Sequence, residues 1–580
     1  MTPFRRLLRY FRPYKRTLIL GGLCVIGSSV FSLAKPLIVG KAVDALTHHP
    51  LRSALIQYAL LYVGASIVQG IFLYLQRWIV IGASRDIEYD MRGDFYNHLQ
   101  SLPPKFYNEQ RTGDLMSRAT NDLSSVRMLV GPAVMHSFSS LLVVAGAFVM
   151  MLRINRGLAL IALTAVPIVA GAVKHFGEKI HDKSKDVQDY FGDISARVQE
   201  NLSGVRVVRA FTQEENEKGL FHEMNEEFVK RNRSLIKLSA TFYPVLHGVI
   251  GFMFVIVFYF GSMRMLAGSM TIGNFVAFNF YLGRMIWPLI ALGWVINLFQ
   301  RGMASMKRLS EVWDVAPPAD AAAEGFDRSE PLEPEIVISH LTFAYTNHDV
   351  LKDVSLQIPA GQTVGIVGRT GSGKSTLLAL LSRYFEAPPG TIFLGGRPIE
   401  SIPAWDLREM IGMVPQETFL FSETIAENIR FGRAEASEEE TARVAMLAGL
   451  SDDLTGFADG IETVIGERGI TLSGGQKQRT AIARAIVRDP AILILDDALS
   501  AVDTSTEERI LKALRDVRRG RTVLIVSHRV SSVKDADQIV VLEEGRVVEH
   551  GSHEALLARG GYYAGLYRRQ TLEEEIAEIA

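Results

Sequence analysis

Hydrophobic positions divide this chain into two unlike halves. In the first 300 residues they gather in long uncharged runs, at Thr17–Ala34, Ala54–Gln76, Met128–Leu152, Gly157–Val173, Leu238–Met263 and Met265–Gln300, the last interrupted only by Arg284. A bilayer core takes about 20 apolar residues per helix, so the pattern predicts six membrane spans, the shorter ones lengthened by neighbouring residues. The first is expected to continue through Lys35-Pro36 to Leu46. An even number of spans returns the chain to its starting side, which places a basic N-terminus and the second half together in the cytosol. Runs one and two, three and four, and five and six are joined by short loops such as Arg153-Ile154-Asn155-Arg156. Between Gln76 and Met128, and between Val173 and Leu238, the chain is instead charged, helically patterned and poor in breakers, as in Ser84–Leu102 and Asp182–Arg209. These stretches predict membrane helices that continue far into the cytosol as hairpins, turning near Asn108–Gly113 and Thr212–Glu217.

Ahead of the first run, Arg5, Arg6, Arg9, Arg12, Lys15 and Arg16 interleave with Phe4, Leu7, Leu8, Tyr10, Phe11 and Tyr14. That spacing suits an amphipathic helix on an anionic membrane face. The absence of a small-residue cleavage site after the first run, and the further spans, argue against a secretory signal. Arg284 falls near mid-membrane if its helix starts around Ile272. A charge there marks a cavity or an interhelical pair by default, so Arg284 is the candidate for a substrate path. Lys35 lies nearer the outer end, where snorkelling accounts for it, and His136 and His247 read as packing residues.

From Glu335 the pattern changes to short β-branched strands alternating with helices, at Ile336-Val337-Ile338, Leu341–Tyr345, Leu356-Gln357-Ile358, Thr391–Leu394, Ala491–Leu495 and Thr522–Val526. This predicts an α/β domain on a largely parallel sheet with an antiparallel portion at its start. The expected division is a membrane region over 1–315, a Pro-, Ala- and acid-rich linker over 316–334, an α/β domain over 335–570 and an acidic tail over 571–580 around Glu573-Glu574-Glu575. The chain of 580 residues carries a net charge of −1, which gives no reason to expect a nucleic-acid partner. Its one cysteine, Cys24, excludes an intrachain disulfide framework and a thiolate metal cluster.

The chemistry lies in the second half. Gly368-Arg369-Thr370-Gly371-Ser372-Gly373-Lys374-Ser375-Thr376 reads G-x-x-x-x-G-K-S between the apolar run Thr363–Val367 and Leu377–Leu381. Strand, glycine turn and helix start are the context in which this pattern binds phosphate. Glycines let backbone N–H groups turn on an anion, the helix N-terminus adds positive dipole, Lys374 neutralises phosphate charge and Ser375 can ligate Mg²⁺. An apolar strand ending in Asp496 supplies a carboxylate for that metal. A strand ending in Ser527-His528 puts an imidazole at the same sheet edge, within reach of a γ-phosphate. Leu472-Ser473-Gly474-Gly475-Gln476, before the helix Lys477–Val487, gives a second phosphate-binding helix N-terminus. One nucleotide does not need two such ends from one chain, which points to a dimer.

The order Tyr345, Gly368–Thr376, Gln416, Leu472–Gln476, Asp496, Ser500-Ala501-Val502-Asp503, His528 resembles an ABC ATPase domain. With six spans in front, nearly the whole chain resembles a half-size ABC exporter: a multidomain membrane protein with a six-helix transmembrane domain, long cytoplasmic helical extensions and a following α/β P-loop ATPase domain. The resemblance implies ATP and Mg²⁺ as ligands. Tyr345 would stack on adenine and Lys374 bind the β- and γ-phosphates. Ser375 and Gln416 would reach Mg²⁺, Asp496 would support it through water, and His528 would contact the γ-phosphate. Ser473, Gly475 and Gln476 would close on ATP held by a second half-transporter, and Ser500 to Asp503 would form the neighbouring D-loop. Gly466-Glu467-Arg468-Gly469 resembles the loop that touches the partner's cytoplasmic hairpins, whose tips would act as coupling helices. Lys374, Asp497 and His528 form the candidate catalytic set.

One position departs from the family. After Asp496 the usual residue is the Glu that orients the attacking water, and here it is Asp497. Asp is one methylene shorter, and about 1 Å of misplacement can cost on the order of a hundredfold in rate. Asp497-Ala498-Leu499-Ser500-Ala501-Val502-Asp503 resembles the degenerate half of heterodimeric bacterial multidrug exporters, whose intact signature completes the partner's site. The expected activity is therefore ATP-driven export of hydrophobic or amphiphilic compounds across the cytoplasmic membrane. Two alternatives stay open: a homodimeric lipid flippase, and an ATP-gated channel or regulatory subunit.

Overall fold

The computed structural model describes residues 2–48, 52–318, 326, 328, 331–345, 348–466, 472–500, 504–518 and 520–579. They form two units, Met1–Leu102 with Gln110–Ala316, and Pro103–Glu109 with Pro317–Ala580. The first is helical: α1 (Pro3–Phe11), α2 (Lys15–His48), α3 (Arg52–Ser101), α4 (Thr112–Ile154), α5 (Arg156–Leu163), α6 (Ala165–Ser203), α7 (Glu214–Leu266) and α8 (Ile272–Trp313). Among the described residues five helices, α2, α3, α4, α7 and α8, are long and apolar enough to cross a membrane. The predicted span over Gly157–Val173 is split instead. α5 stops at Leu163, Thr164 turns, and α6 restarts at Ala165. Pro167 gives the reason: it has no N–H to offer the Leu163 carbonyl, and its ring crowds that carbonyl. Six apolar runs thus become five continuous apolar helices and one broken run.

α3 and α7 hold 50 and 53 residues. At 1.5 Å per residue each is about 75–80 Å long, far more than a bilayer core of about 30 Å needs. The excess forms the predicted extensions. A short helix, Pro104–Glu109, lies between α3 and α4. Another, Val205–Ala210, precedes a turn at 211–213 in which Thr212 takes φ +55°. Along the second hairpin Arg231 joins α7 to α6 by pairing with Asp186 at 2.8 Å and stacking 4.2 Å over Tyr190.

The membrane helices carry apolar side chains outward: Trp78 is 70% exposed and Phe252 69%, whereas Leu246 and Val257 on the same α7 are fully buried. Their mutual packing depends on close approach and on polar groups paired internally, because lipid offers no hydrogen bonds. α2 and α8 cross at Gly40 and Gly273, where a Cβ on Gly40 would stand 2.7 Å from the Gly273 carbonyl oxygen. Asp44 accepts hydrogen bonds from the Gly273 N–H at 2.7 Å and the Thr271 hydroxyl at 2.8 Å, and Tyr281 donates to the Leu33 carbonyl at 2.6 Å. α1 buries Leu7. Its Arg6 donates to the Ser310 carbonyl at 3.2 Å and pairs with Asp314 at 2.8 Å, so this charge is held at the C-terminal end of α8, where a cation suits the helix dipole.

The second unit holds two sheets. Strands β1 (Ile336–Ala344), β2 (Asp349–Ile358), β4 (Ile392–Leu394) and β5 (Arg397–Pro398) form an antiparallel sheet in the order β2-β1-β4-β5. β3 (Thr363–Val367), β6 (Ile411–Val414), β7 (Ile492–Asp496), β8 (Thr522–Val526), β9 (Gln538–Glu543) and β10 (Arg546–Gly551) form the second, in the order β10-β9-β3-β8-β7-β6. Every residue of β3, β7 and β8 is buried, as parallel strands covered on both faces require. Ile366 pairs with Val526, and Asp496 with Val526, so the C-terminal ends of β3, β8 and β7 come level at one edge. Helices α9 (Lys374–Leu381), α10 (Gly474–Val487), α11 (Thr504–Arg518) and α12 (Tyr562–Ile579) accompany the sheets. From the predicted linker, Phe326 packs on the core of the antiparallel sheet and Arg328 pairs with Asp406 at 2.8 Å. α12 runs on as helix through the stretch expected as an acidic tail.

Gly273→Val should place methyl groups against the Gly40 backbone and Asp44. Overpacking of this kind costs about 1–3 kcal/mol. Thermal unfolding of the detergent-purified chain is expected at a clearly lower temperature for Gly273→Val, and unchanged for Gly64→Ala, whose added Cβ meets no atom within 4 Å.

Candidate functional site

The site begins where β3 runs out. Gly371 and Gly373 adopt φ of +82° and +101°, which side-chain-bearing residues rarely tolerate. A Cβ on Gly373 would meet Leu351 Cδ2 at 2.7 Å and the Val350 carbonyl at 3.1 Å, and one on Gly368 would collide with the Leu542 carbonyl. The cradle is therefore backbone only. Lys374 opens α9, is buried, and donates from Nζ to the carbonyls of Gly368 and Arg369, both at 2.9 Å. Burial pulls its pKa down, opposed by the nearby charges of Asp496 and Asp497.

Asp496 ends β7 and is buried. Desolvation pushes its pKa up against a hydrogen bond from the Ser375 hydroxyl, with Asp497 adding to the rise while Lys374 and His528 oppose it. Asp497 follows in the left-handed region at φ +48°. Its backbone is held on both sides: the N–H donates to the Val526 carbonyl at 2.8 Å, and the carbonyl accepts from Ser500 Oγ at 2.9 Å and Gln478 Nε2 at 3.4 Å. Gln416, Asp496, Asp497 and His528 line the same cleft as Thr370, Gly371 and residues 373–376 of the loop.

The other candidates do not line that cleft, though Tyr345 borders it. Tyr345 is 44% exposed; its hydroxyl donates to Thr376 Oγ1 at 3.1 Å, and its ring meets Phe385 edge to face at 4.9 Å. Arg369 turns its guanidinium over the Tyr562 ring of α12 at 6.0 Å. Leu472 is buried, and Ser473 caps α10 in a reciprocal capping box with Gln476, whose amide also donates to Asp453 Oδ1 at 2.9 Å. Gly474 and Gly475 form the first turn of that helix. Ala501, Val502 and Asp503, and likewise Glu467, Arg468 and Gly469, lie outside the described residues. Arg284, in the first unit, donates from Nη1 to the Ser32 hydroxyl of α2. The residues that sequence reasoning missed are Gln478, which pins both Asp497 and Ser500, and Val350 and Val526, which complete the cleft wall. No local spacing signals them.

The donor set suits Mg²⁺ accompanied by nucleotide. A hydroxyl, an amide and the two carboxylates of Asp496 and Asp497 line this cleft, which is too few protein ligands for a closed cage and matches an ion that keeps waters and shares substrate phosphates. Among the described residues no group of three or more His, Cys, Asp or Glu side chains could hold a metal.

Asp496→Asn removes a charge that burial disfavours. The folded chain binds the Asp496 proton more tightly than the unfolded chain, so the cost in stability is complete above the raised pKa, shrinks as pH falls through it, and is gone only below the ordinary carboxylate value of 3.8. The nucleotide-free variant should unfold at a higher temperature than the parent at mildly alkaline pH, with the gap closing on acidification. Scanning fluorimetry checks both points, and Mg²⁺-dependence of nucleotide binding should be lost.

Residues 18–289 match the family described as ABC transporter transmembrane region, and residues 351–500 that described as ABC transporter. The chain is 36% identical to the probable multidrug resistance ABC transporter ATP-binding/permease protein YheI of Bacillus subtilis (strain 168), over 98% of this chain and 97% of that protein. It is 37% identical to the multidrug resistance-like ATP-binding protein MdlA of Escherichia coli (strain K12), over 99% of this chain and 97% of the relative. The structure of a bacterial Atm1-family ABC exporter with ATP bound matches it with a TM-score of 0.77 and 27% identity, covering 96% of this chain and 98% of that one. With apolar membrane-length helices and a glycine cradle for phosphate in one polypeptide, the chain belongs to the ABC transporter family as a half-size exporter, a membrane protein whose nucleotide-binding ATPase domain drives transport.

Proposed function

We propose that this chain is the degenerate-site half of a heterodimeric exporter that moves hydrophobic or amphiphilic compounds out across the cytoplasmic membrane. The reading takes the membrane region as 1–315, the linker as 316–334 and the nucleotide-binding domain as 335–570. The multidrug names of the relatives support the substrate class. The observation that carries the degenerate-site reading is the fixed backbone of Asp497. With its N–H and carbonyl both hydrogen-bonded, the residue cannot slide forward to compensate for a side chain one methylene short of Glu.

In this mechanism the N–H groups of Gly371–Ser375 and the ammonium of Lys374 hold the β- and γ-phosphates, and Tyr345 offers a ring to adenine. Ser375, Gln416 and Asp496 would hold Mg²⁺, which when bound would offset charge on the transferring phosphoryl group. His528 donates to the γ-phosphate. Asp497 falls short of the water that must attack phosphorus, so this chain's loop mainly holds nucleotide and keeps the dimer closed. Ser473, Gly475 and Gln476 complete the partner's site, where most hydrolysis takes place. Closure is passed to the membrane by the cytoplasmic hairpins and turns the cavity outward, and hydrolysis resets it. Arg284, whose hydrogen bond to Ser32 does not neutralise its charge, would face an anionic group of the substrate.

Two measurements test the reading. The chain purified alone should hydrolyse ATP slowly and without drug stimulation, while the co-purified pair is fast; a fast, drug-stimulated homodimer would sink it. General-base catalysis is worth roughly 10²–10⁴-fold, so Asp497→Glu should raise turnover at this site by at least about tenfold.

A further inference from the structure

The C-terminal helix α12 touches two loops of the nucleotide site. At its start, Tyr562 receives the Arg369 guanidinium of the phosphate loop. Farther along, Gln570 meets the segment that follows β8. Its Nε2 donates to the His528 carbonyl at 2.7 Å, and its Oε1 accepts from the Val530 N–H at 2.8 Å. One planar amide thus spans the backbone from residue 528 to residue 530. A neutral amide offers a donor and an acceptor side by side for a carbonyl and an N–H at once, which neither charged alternative does; a carboxylate would turn an acceptor on the His528 carbonyl, and an ammonium would turn a donor on the Val530 N–H.

The rest of this segment is anchored elsewhere. Ser527 Oγ accepts from the Arg529 N–H at 3.0 Å, Arg529 pairs with the buried Glu507 at 3.0 Å, and Ser532 donates to the same carboxylate. None of these bonds reaches the His528 backbone. Among the hydrogen bonds of the described residues, Gln570 is the donor to its carbonyl. His528 lines the cleft with Asp496 and Asp497, so an anchor on its carbonyl holds the backbone from which the ring is projected.

We infer that Gln570 is a positioning residue for His528, and that α12 thereby sets how well this site distinguishes a nucleoside triphosphate from a diphosphate. The inference rests on the reading of His528 as the γ-phosphate contact. Hydrogen bonds to charged groups are strong and geometrically selective. A ring released from its place therefore loses the γ-phosphate while leaving the β-phosphate contacts of Lys374 and the loop intact.

The test uses the full-length chain in lipid nanodiscs with Mg²⁺, reading displacement of a fluorescent ADP analogue by AMP-PNP and by ADP. Gln570→Met, which keeps the side-chain length and removes both bonds, is expected to lower the AMP-PNP affinity relative to ADP by about three- to tenfold, with ADP affinity held. Gln570→Glu should give the same selective loss. Neither should lower the ratio further in a His528→Ala background, because the two residues act as one unit. An unchanged ratio in both Gln570 variants, with His528→Ala effective, overturns the inference and leaves the His528 reading standing. An unchanged ratio in His528→Ala overturns both. Equal loss of AMP-PNP and ADP affinity in both Gln570 variants, or additive losses in the double variants, shows a brace that does not act through His528 and also overturns the inference.

Discussion

A phosphate cradle built from backbone N–H groups requires that no side chain enter it, and the nucleotide half of this protein is arranged around that exclusion. Gly368 passes so close to the Leu542 carbonyl, and Gly373 so close to Leu351, that a methyl group at either would force the loop open. The loop is also tied to the sheet, because its two ends are the fully buried strand β3 and the helix α9 that begins at Lys374. Once β3 is in place, its parallel neighbours follow in register and deliver Asp496 and His528 to the same edge. The electrostatics then follow from burial. Lys374 and Asp496 are both taken out of water, each loses some preference for its charged form, and each partly compensates the other.

The membrane half answers a different demand with related means. Without water, helices associate through close approach and internal hydrogen bonds. Gly40 and Gly273 supply the approach between α2 and α8, and Asp44 satisfies the N–H and hydroxyl at the start of α8. Arg284 bonds to Ser32 one helix away, which makes it part of the same α2–α8 contact as well as a candidate for contact with substrate. The exposed rings of Trp78 and Phe252 are apolar groups of a kind that a lipid surrounding accepts.

Asp497 shows how a conservative-looking change acquires meaning from its surroundings. A flexible backbone could move a shorter carboxylate forward. Here the left-handed conformation, the bond to the Val526 carbonyl and the bonds from Ser500 and Gln478 hold it in place. On the proposed reading, the nucleotide loop binds while the group that would trigger hydrolysis is held back, the combination that an asymmetric pair of sites would need.

Much of this protein was legible in its residues. Membrane spans announce themselves because a bilayer demands a fixed length of apolar helix, and α2 indeed runs unbroken through Pro36. The cradle announces itself because its glycines, Lys374 and Ser375 sit within one turn of chain, where spacing is geometry. The split at Thr164 was also local, written in Pro167, though an apolar run hides it. Strands β6, β9 and β10 were too short or too mixed to stand out from the sequence. What only the folded chain decided are the meetings of distant segments: Gln416 beside Asp496 because β6 lies next to β7, Gln478 on the Asp497 carbonyl, and Gln570 on the His528 carbonyl 42 residues away. Periodicity records which way a residue faces within its own element. Strand order and the docking of helices decide what it faces, and no spacing along the chain encodes that.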